Sequence, residues 1–208
     1  MMSKKTTSVI VVGVGGQGTL LAAGILSEVA ARSGLAVKSS EVHGMAQRGG
    51  SVLSQVRFGE QVYSPLTPAG EGDFLIALEE LEALRHRKSI RNQATVFLQR
   101  KRVLPAPVLA GVAVYPSGIE ETLTGEGYRV AGVADDELVS CLGTSRPANI
   151  YLLGMLSPCL DFELSAWKWV IYRFIKESLR DLNWKAFRLG RAAGEELNIP
   201  MTEKGNRK

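Results

Sequence analysis

The stretch from Val9 to Ala23 constrains the fold of this chain more than any other. An uninterrupted apolar run, Val9-Ile10-Val11-Val12, passes directly into Gly13-Val14-Gly15-Gly16-Gln17-Gly18 and then into Leu20-Leu21-Ala22-Ala23. A continuous β-branched run without polar alternation reads as a strand buried on both faces, as in a parallel sheet. After the turn, Leu20, Leu21, Ile25, Val29 and Ala30 recur at helical spacing, which predicts a helix over 16–32 ended by Gly34 as a left-handed cap residue. Leu35 to Val42 reads as a second strand, so the unit is βαβ with a right-handed crossover. The first N–H groups of such a helix have no partner within it. Strand, glycine turn and helix in this order therefore form a concavity that accepts anions.

Further along, the pattern first changes and then returns. Residues 51–58 alternate, with Val52, Val56 and Phe58 on one face and Gln55 and Arg57 on the other. Gly59-Glu60 separates them from Gln61-Val62-Tyr63, which predicts a β-hairpin inserted into the α/β core. Buried strands are predicted over 73–78, 94–98, 111–115 and 128–133, with helices over 79–88 and 135–141. From Pro147 onward the spacing is helical, over 148–160, 163–182 and 184–197, and the charged tail 202–208 should fray. A chain of 208 residues with 45% hydrophobic content fits one domain. We expect an α/β, Rossmann-like, mostly parallel sheet core over about 7–145, a β-hairpin insertion, and a C-terminal helical region over about 146–200.

Two loops carry the candidate chemistry. The first holds Gly13, Gly15, Gly16, Gln17 and Gly18, and Glu41 stands at the end of strand two, where a ribose-binding acid would sit in a dinucleotide site. The bland alternative is that these glycines only permit a tight turn and close packing. The second loop is His43-Gly44-Met45-Ala46-Gln47-Arg48-Gly49-Gly50. Its glycines let the backbone approach another surface, Arg48 offers a bidentate fork for a carboxylate or phosphate, and His43 can donate to an anion or shuttle a proton. It falls at the carboxyl edge of the sheet, where folds of this class bind ligands.

Other features point away from independent catalysis. Glu79, Glu80 and Glu82 suit the start of a helix, and His86 suits a helix end. No nucleophile–base pair is visible. Cys141 and Cys159 stand alone, without the clustered spacing of a zinc or iron–sulfur site, and read as buried, reduced cysteines of a cytoplasmic protein. The net charge of +4 comes partly from the runs at 85–88 and 100–102, but no aromatic residue interleaves with them, which argues against nucleic acid. The residues Met1-Met2-Ser3-Lys4-Lys5 lead straight into the first strand and no apolar run is long enough to span a bilayer, so we expect neither a leader nor a membrane role. In the C-terminal region, Leu164, Trp167, Ile171, Phe174 and Leu179 form a core stripe. Trp169 and Tyr172 fall off it, which suggests a second apolar face for a protein partner.

The stretch from Val11 to Phe58, with Gly-Val-Gly-Gly-Gln-Gly, Ser-Glu-Val-His-Gly-Met-Ala-Gln-Arg-Gly-Gly-Ser-Val and Val-Arg-Phe-Gly, resembles the gamma-type module of the 2-oxoacid:ferredoxin oxidoreductase family, in its indolepyruvate form. Matches continue through Gly70-Glu71-Gly72-Asp73, Ala77-Leu78-Glu79, Glu82-Ala83-Leu84-Arg85, Tyr115-Pro116, Asn149, Leu153-Gly154 and Asn183 with Ala186-Phe187 and Gly190. Ala46 replaces a serine common in the family, and Gln99 an asparagine. The resemblance implies an accessory subunit without thiamine or iron–sulfur clusters of its own. Its larger partner would carry thiamine diphosphate and the clusters, decarboxylate an aryl-2-oxoacid, pass electrons to ferredoxin and form an acyl-coenzyme A. On that view the amides of Gly15 to Gly18 face a phosphate or an interface carboxylate, and coenzyme A lies at a cleft shared by the subunits, bordered by His43 and Arg48. The alternatives are a free-standing dinucleotide oxidoreductase using Glu41, and a purely structural scaffold.

Overall fold

The computed structural model describes residues 6–43 and 50–199. Six strands, β1 (Thr7–Val14), β2 (Ala36–His43), β3 (Ser51–Gly59), β4 (Gly72–Ala77), β5 (Ile90–Arg100) and β6 (Arg129–Ala134), form one sheet in the order β2-β3-β1-β4-β5-β6. β2, β1, β4, β5 and β6 run in one direction and β3 alone runs in the other. Every residue of β1 and β4 is buried, as their unbroken apolar sequences require.

Eight helices accompany the sheet among the described residues: α1 (Thr19–Arg32), α2 (Glu80–His86), α3 (Ala106–Leu109), α4 (Ile119–Gly125), α5 (Asp135–Leu142), α6 (Ala148–Leu156), α7 (Leu164–Phe174) and α8 (Arg180–Glu196). One face of the sheet, through Val9, Val11, Val56 and Phe97, packs against α1 and α5–α8, with Trp167 and Phe187 among the largest side chains it buries. The opposite face, through Ile10, Val12, Leu75 and Val96, packs against α2 and α4. The C-terminal helices thus share a core with α1 rather than forming one of their own. Gly34, at φ +80°, ends α1.

Several expectations change. The alternation of β3 is real, with Val52, Ser54, Val56 and Phe58 turned inward, but residues 61–63 are not its partner. β3 pairs with β1 from Thr7↔Phe58 to Val14↔Ser51 and with β2 from Ala36↔Gly59 to His43↔Val52. Both of its hydrogen-bonding edges are therefore used, and the hairpin is β2–β3, closed by the second loop. Residues 111–115 are not a strand, because the N–H groups of Val112 and Ala113 both turn back to Pro107 O. The helix expected over 163–182 breaks at Ile175, which is extended (φ −99°, ψ 137°). Trp167 and Ile171 are buried, but Leu164, Phe174 and Leu179 are exposed, as is Leu20 on α1.

Candidate functional site

The carboxyl edge of the sheet gathers the C-terminal ends of β1, β2, β4, β5 and β6 and the start of β3. The first loop lies there, and most of its residues serve its own construction. Gln17 acts as a clamp: its Oε1 accepts from Val14 N at 2.8 Å and its Nε2 donates to Leu78 O at 2.9 Å, joining the ends of β1 and β4. Gly13 is required by that clamp, since a Cβ there would come within 2.7 Å of Gln17 Oε1 and 3.0 Å of Thr19 Oγ1. Gly18 caps α1 in the left-handed region at φ +79°, and its carbonyl accepts both Ala22 N and the Nδ2 of Asn149 from α6, at 3.0 and 3.1 Å.

Of the amides expected to face an anion, two are already engaged. Gly15 N donates to Gly50 O at 3.0 Å and Gln17 N to Val14 O at 3.2 Å. Among the described residues, the N–H groups of Gly16, Gly18, Thr19, Leu20 and Leu21 have no hydrogen-bond acceptor. Gly15 and Gly16 are exposed, so this positive helix end opens to the surface. Beneath it, Thr19 Oγ1 is buried and has no partner among the described residues.

The bond from Gly15 N to Gly50 O ties the first loop to the end of the second. Gly44, Met45, Gln47, Arg48 and Gly49 lie outside the described residues, and of His43 only the backbone, at the end of β2, is described. Glu41 is exposed on that same edge strand, opposite Ser54. Because β3 lies between β2 and β1, Glu41 stands two strands, roughly 10 Å, from the glycine turn. A ribose-binding acid belongs on the strand next to β1. The structure therefore does not bring Glu41 and the turn together as a dinucleotide site.

Residues read from sequence as simple helix-end charges prove to be buried. Glu82 is 1% exposed and lies against Ser51, the first residue of β3. Its carboxylate accepts from Ser51 Oγ and Arg85 Nη1, both at 2.5 Å, and His86 Nε2 lies 3.7 Å away. Burial works against its charge, but the contacts with His86, Ser51 and Arg85 outweigh it and hold the carboxyl below its ordinary value. Glu79, equally buried, caps α2 through Glu82 N and accepts from Tyr115 Oη and Val103 N. Burial and the Glu79 carboxylate together push the Tyr115 hydroxyl far above its ordinary value. The signal available in sequence was the fit of Glu79, Glu82, Tyr115 and Asn149 to the family pattern. Gln99, in the place of an asparagine, is also buried and donates to Asp135 Oδ1 at 2.5 Å.

Five cations of the basic runs are paired locally. Arg85 pairs with Glu82, Arg87 with Glu126, Arg100 with Glu120, Lys101 with Asp135 and Arg102 with Glu80. Trp169 lies under the guanidinium of Arg32 at 3.7 Å, and Tyr172 Oη donates to Asp181, so each has a partner within the chain. No group of three His, Cys, Asp or Glu side chains able to hold a metal occurs among the described residues, and none of their helices is long and apolar enough to cross a membrane.

A six-stranded sheet with one antiparallel strand beside β1 and a glycine turn on its carboxyl edge is the fold of gamma-type oxoacid:ferredoxin oxidoreductase subunits. The gamma subunit of the keto/oxoacid ferredoxin oxidoreductase from Geobacter sulfurreducens superposes with a TM-score of 0.67 at 22% identity, covering 91% of this chain and 99% of that one. A 2-oxoglutarate:ferredoxin oxidoreductase from Magnetococcus marinus, solved with 2-oxoglutarate, coenzyme A and succinyl-CoA bound, superposes with a TM-score of 0.71 at 20% identity, covering 98% of this chain but 34% of its own. A family model described as pyruvate ferredoxin/flavodoxin oxidoreductase matches residues 8–193, and the chain belongs to that family. Indolepyruvate oxidoreductase subunit IorB of Archaeoglobus fulgidus is 40% identical over 189 residues, 88% of this chain and 92% of the relative. The subunit of that name from Pyrococcus horikoshii is 38% identical over 202 residues, 94% and 100% of the two.

Proposed function

We propose that this chain is the cluster-free, thiamine-free subunit of an indolepyruvate:ferredoxin oxidoreductase, and that its glycine-turn edge completes a cleft shared with the larger, cofactor-bearing subunit. An accessory subunit of an oxoacid:ferredoxin oxidoreductase is what family and fold support. The narrower substrate rests on the 40% identity to an indolepyruvate oxidoreductase subunit over 88% of the chain, the observation that carries this reading.

The residues present do not fit an iron–sulfur cluster. Such clusters take four thiolates, or two thiolates and two imidazoles, gathered at one point. The described residues hold no group of three His, Cys, Asp or Glu side chains able to hold a metal, and this chain has two cysteines, Cys141 exposed and Cys159 buried. Both are free thiols, in keeping with a cytoplasmic enzyme. The glycine turn does fit an anionic group, since the amides of Gly16, Gly18 and Thr19 to Leu21 have no acceptor among the described residues. In the shared cleft these amides hold a phosphate of coenzyme A or a carboxylate of the partner. The thiol of coenzyme A, when bound, takes up the acyl group left by decarboxylation, while the two electrons leave to ferredoxin through the partner. This chain's part is to bind and orient: Gln17 fixes the turn, Asn149 fixes its helix cap, and Glu82 fixes Ser51, where the second loop rejoins the sheet. From their place in the sequence, His43 and Arg48 would border this cleft, with Arg48 as the fork for an anion.

Anaerobic co-expression with the cofactor-bearing subunit tests the reading. The complex should oxidise indolepyruvate in a coenzyme A-dependent reaction that reduces ferredoxin, and the larger subunit alone should not. Arg48→Ala should leave the complex assembled and lower its turnover; unchanged turnover would reduce the loop to a scaffold. A larger subunit fully active alone would refute the reading.

A further inference from the structure

Beyond β5 the chain enters Val103-Leu104-Pro105-Ala106-Pro107-Val108-Leu109-Ala110-Gly111-Val112-Ala113-Val114, a segment with no charged and no hydrogen-bonding side chain. It lies mostly on the surface: Leu104 is 46% exposed, Leu109 70%, Val112 79% and Val114 91%. A single exposed leucine is ordinary, but four large apolar side chains on one short uncharged segment form a patch that water solvates poorly.

The segment is nonetheless built. Its two stems are fastened to one buried carboxylate, because Val103 N and Tyr115 Oη both donate to Glu79 Oε1, at 3.1 and 2.5 Å. Within it, Val108 N and Leu109 N turn back to Pro105 O, and Val112 N and Ala113 N to Pro107 O. The knob is ordered before anything covers it, which lowers the entropy lost on docking. Its flanking cations are matched by Arg100–Glu120 at 2.8 Å, Lys101–Asp135 at 2.9 Å and Arg102–Glu80 at 2.7 Å. The surface is therefore uncharged in effect, which suits an apolar recess and neither an acidic protein nor a nucleic acid.

Its position selects the occupant. The knob rises from the carboxyl edge two strands from β1, the edge that bears the glycine turn, with Leu20 and Val42 also exposed along it. In the Magnetococcus chain this fold makes up 34% of a longer polypeptide, so there it is continuous with further protein. We propose that residues 103–114 are the apolar element by which this chain seats in the larger subunit, holding the glycine-turn edge at the shared cleft. This inference rests on the proposed accessory role.

The test is association of the full chain with the larger subunit, comparing wild type, Leu109→Asp/Val114→Asp, and Tyr63→Asp, whose side chain is 86% exposed at the opposite edge. Wild type and Tyr63→Asp should bind equally. The double variant should bind at least about tenfold more weakly, with the melting temperature of the free chain unchanged. Equal binding by the double variant overturns the docking proposal while the accessory role stands. A wild-type chain that does not bind the larger subunit overturns both. A lowered melting temperature of the free double variant also overturns the proposal, because the side chains would then be packed within this chain. A concentration-dependent homodimer abolished by the double variant, with binding to the larger subunit intact, assigns the knob to a second copy instead.

Discussion

Gly18→Ala should destabilise the chain about two to three times as much as Gly16→Ala, although both replace a left-handed glycine in the same turn. Gly16 (φ +94°) has nothing within 4 Å of a built Cβ, so alanine there meets only the backbone cost of the left-handed region, about 1 kcal/mol. At Gly18 (φ +79°) the same cost applies, and the new Cβ would also come within 2.5 Å of Asn149 Nδ2. Asn149 is 5% exposed, so an amide forced off Gly18 O finds little water in exchange, and the lost bond adds about 1–2 kcal/mol. The totals are about 1 kcal/mol at Gly16 and about 2–3 at Gly18. At about 2–4 °C per kcal/mol for a chain of this size, the melting temperature should fall by roughly 2–4 °C and roughly 4–12 °C. Thermal unfolding followed by circular dichroism reads both. A cycle with Asn149→Ala isolates the contact: the double variant should be about 1–2 kcal/mol more stable than additivity predicts, because removing the amide makes room for the methyl group. Equal falls for the two glycine variants, or strict additivity in the cycle, would refute the reasoning.

The pairing of α6 with α8 gives a second contrast. A Cβ at Gly190 would overlap the carbonyl of Tyr151, whereas Gly125, at the end of α4, has open space, so Gly190→Ala should lower the melting temperature and Gly125→Ala should hold or raise it slightly. The third prediction concerns acid. The Glu82 carboxyl is held below 4.5 in the folded chain, so its contribution is fully present above that unfolded value and is lost as pH falls through the lower folded value. Glu82→Gln should therefore be less stable than wild type near neutrality, and the gap should narrow as pH falls below 4.5; a gap that stays constant on acidification through that range would contradict this.

The parts of the fold that were legible are those that local chemistry dictates. An unbroken β-branched run marked β1, the apolar run Phe74-Leu75-Ile76-Ala77 marked β4, and the glycine turn marked the start of α1. The alternation of β3 was legible as a pattern of faces, but a period of two says which side is buried and nothing of which strands lie alongside, so β3 was paired with 61–63 instead of β1 and β2. That displacement also moved Glu41 away from the turn. The segment 103–114 shows the converse error: its valines met a strand template over 111–115, while Pro107 O had already claimed the amides that a ladder would need. Within the site, Asn149 and Gly18 are 131 residues apart, a separation at which no local pattern signals contact. Glu79 and Glu82 looked like surface charges at a helix start because nothing nearby reveals that Tyr115, Val103 and Ser51 converge on them.

The ion pairing beside β5 also sets how quickly this subunit can find its place. Exposed pairs such as Arg102–Glu80 add little to folding stability, but each cancels the field its cation would project into solvent. An apolar knob within such a neutral frame meets its partner by unaided diffusion, at about 10⁵–10⁶ M⁻¹s⁻¹, and nearly as fast in high salt as in low. At micromolar subunit concentrations pairing then takes on the order of seconds. For that interval Leu109, Val112 and Val114 stand uncovered, and the balance between assembly and aggregation is set by how soon the right recess arrives.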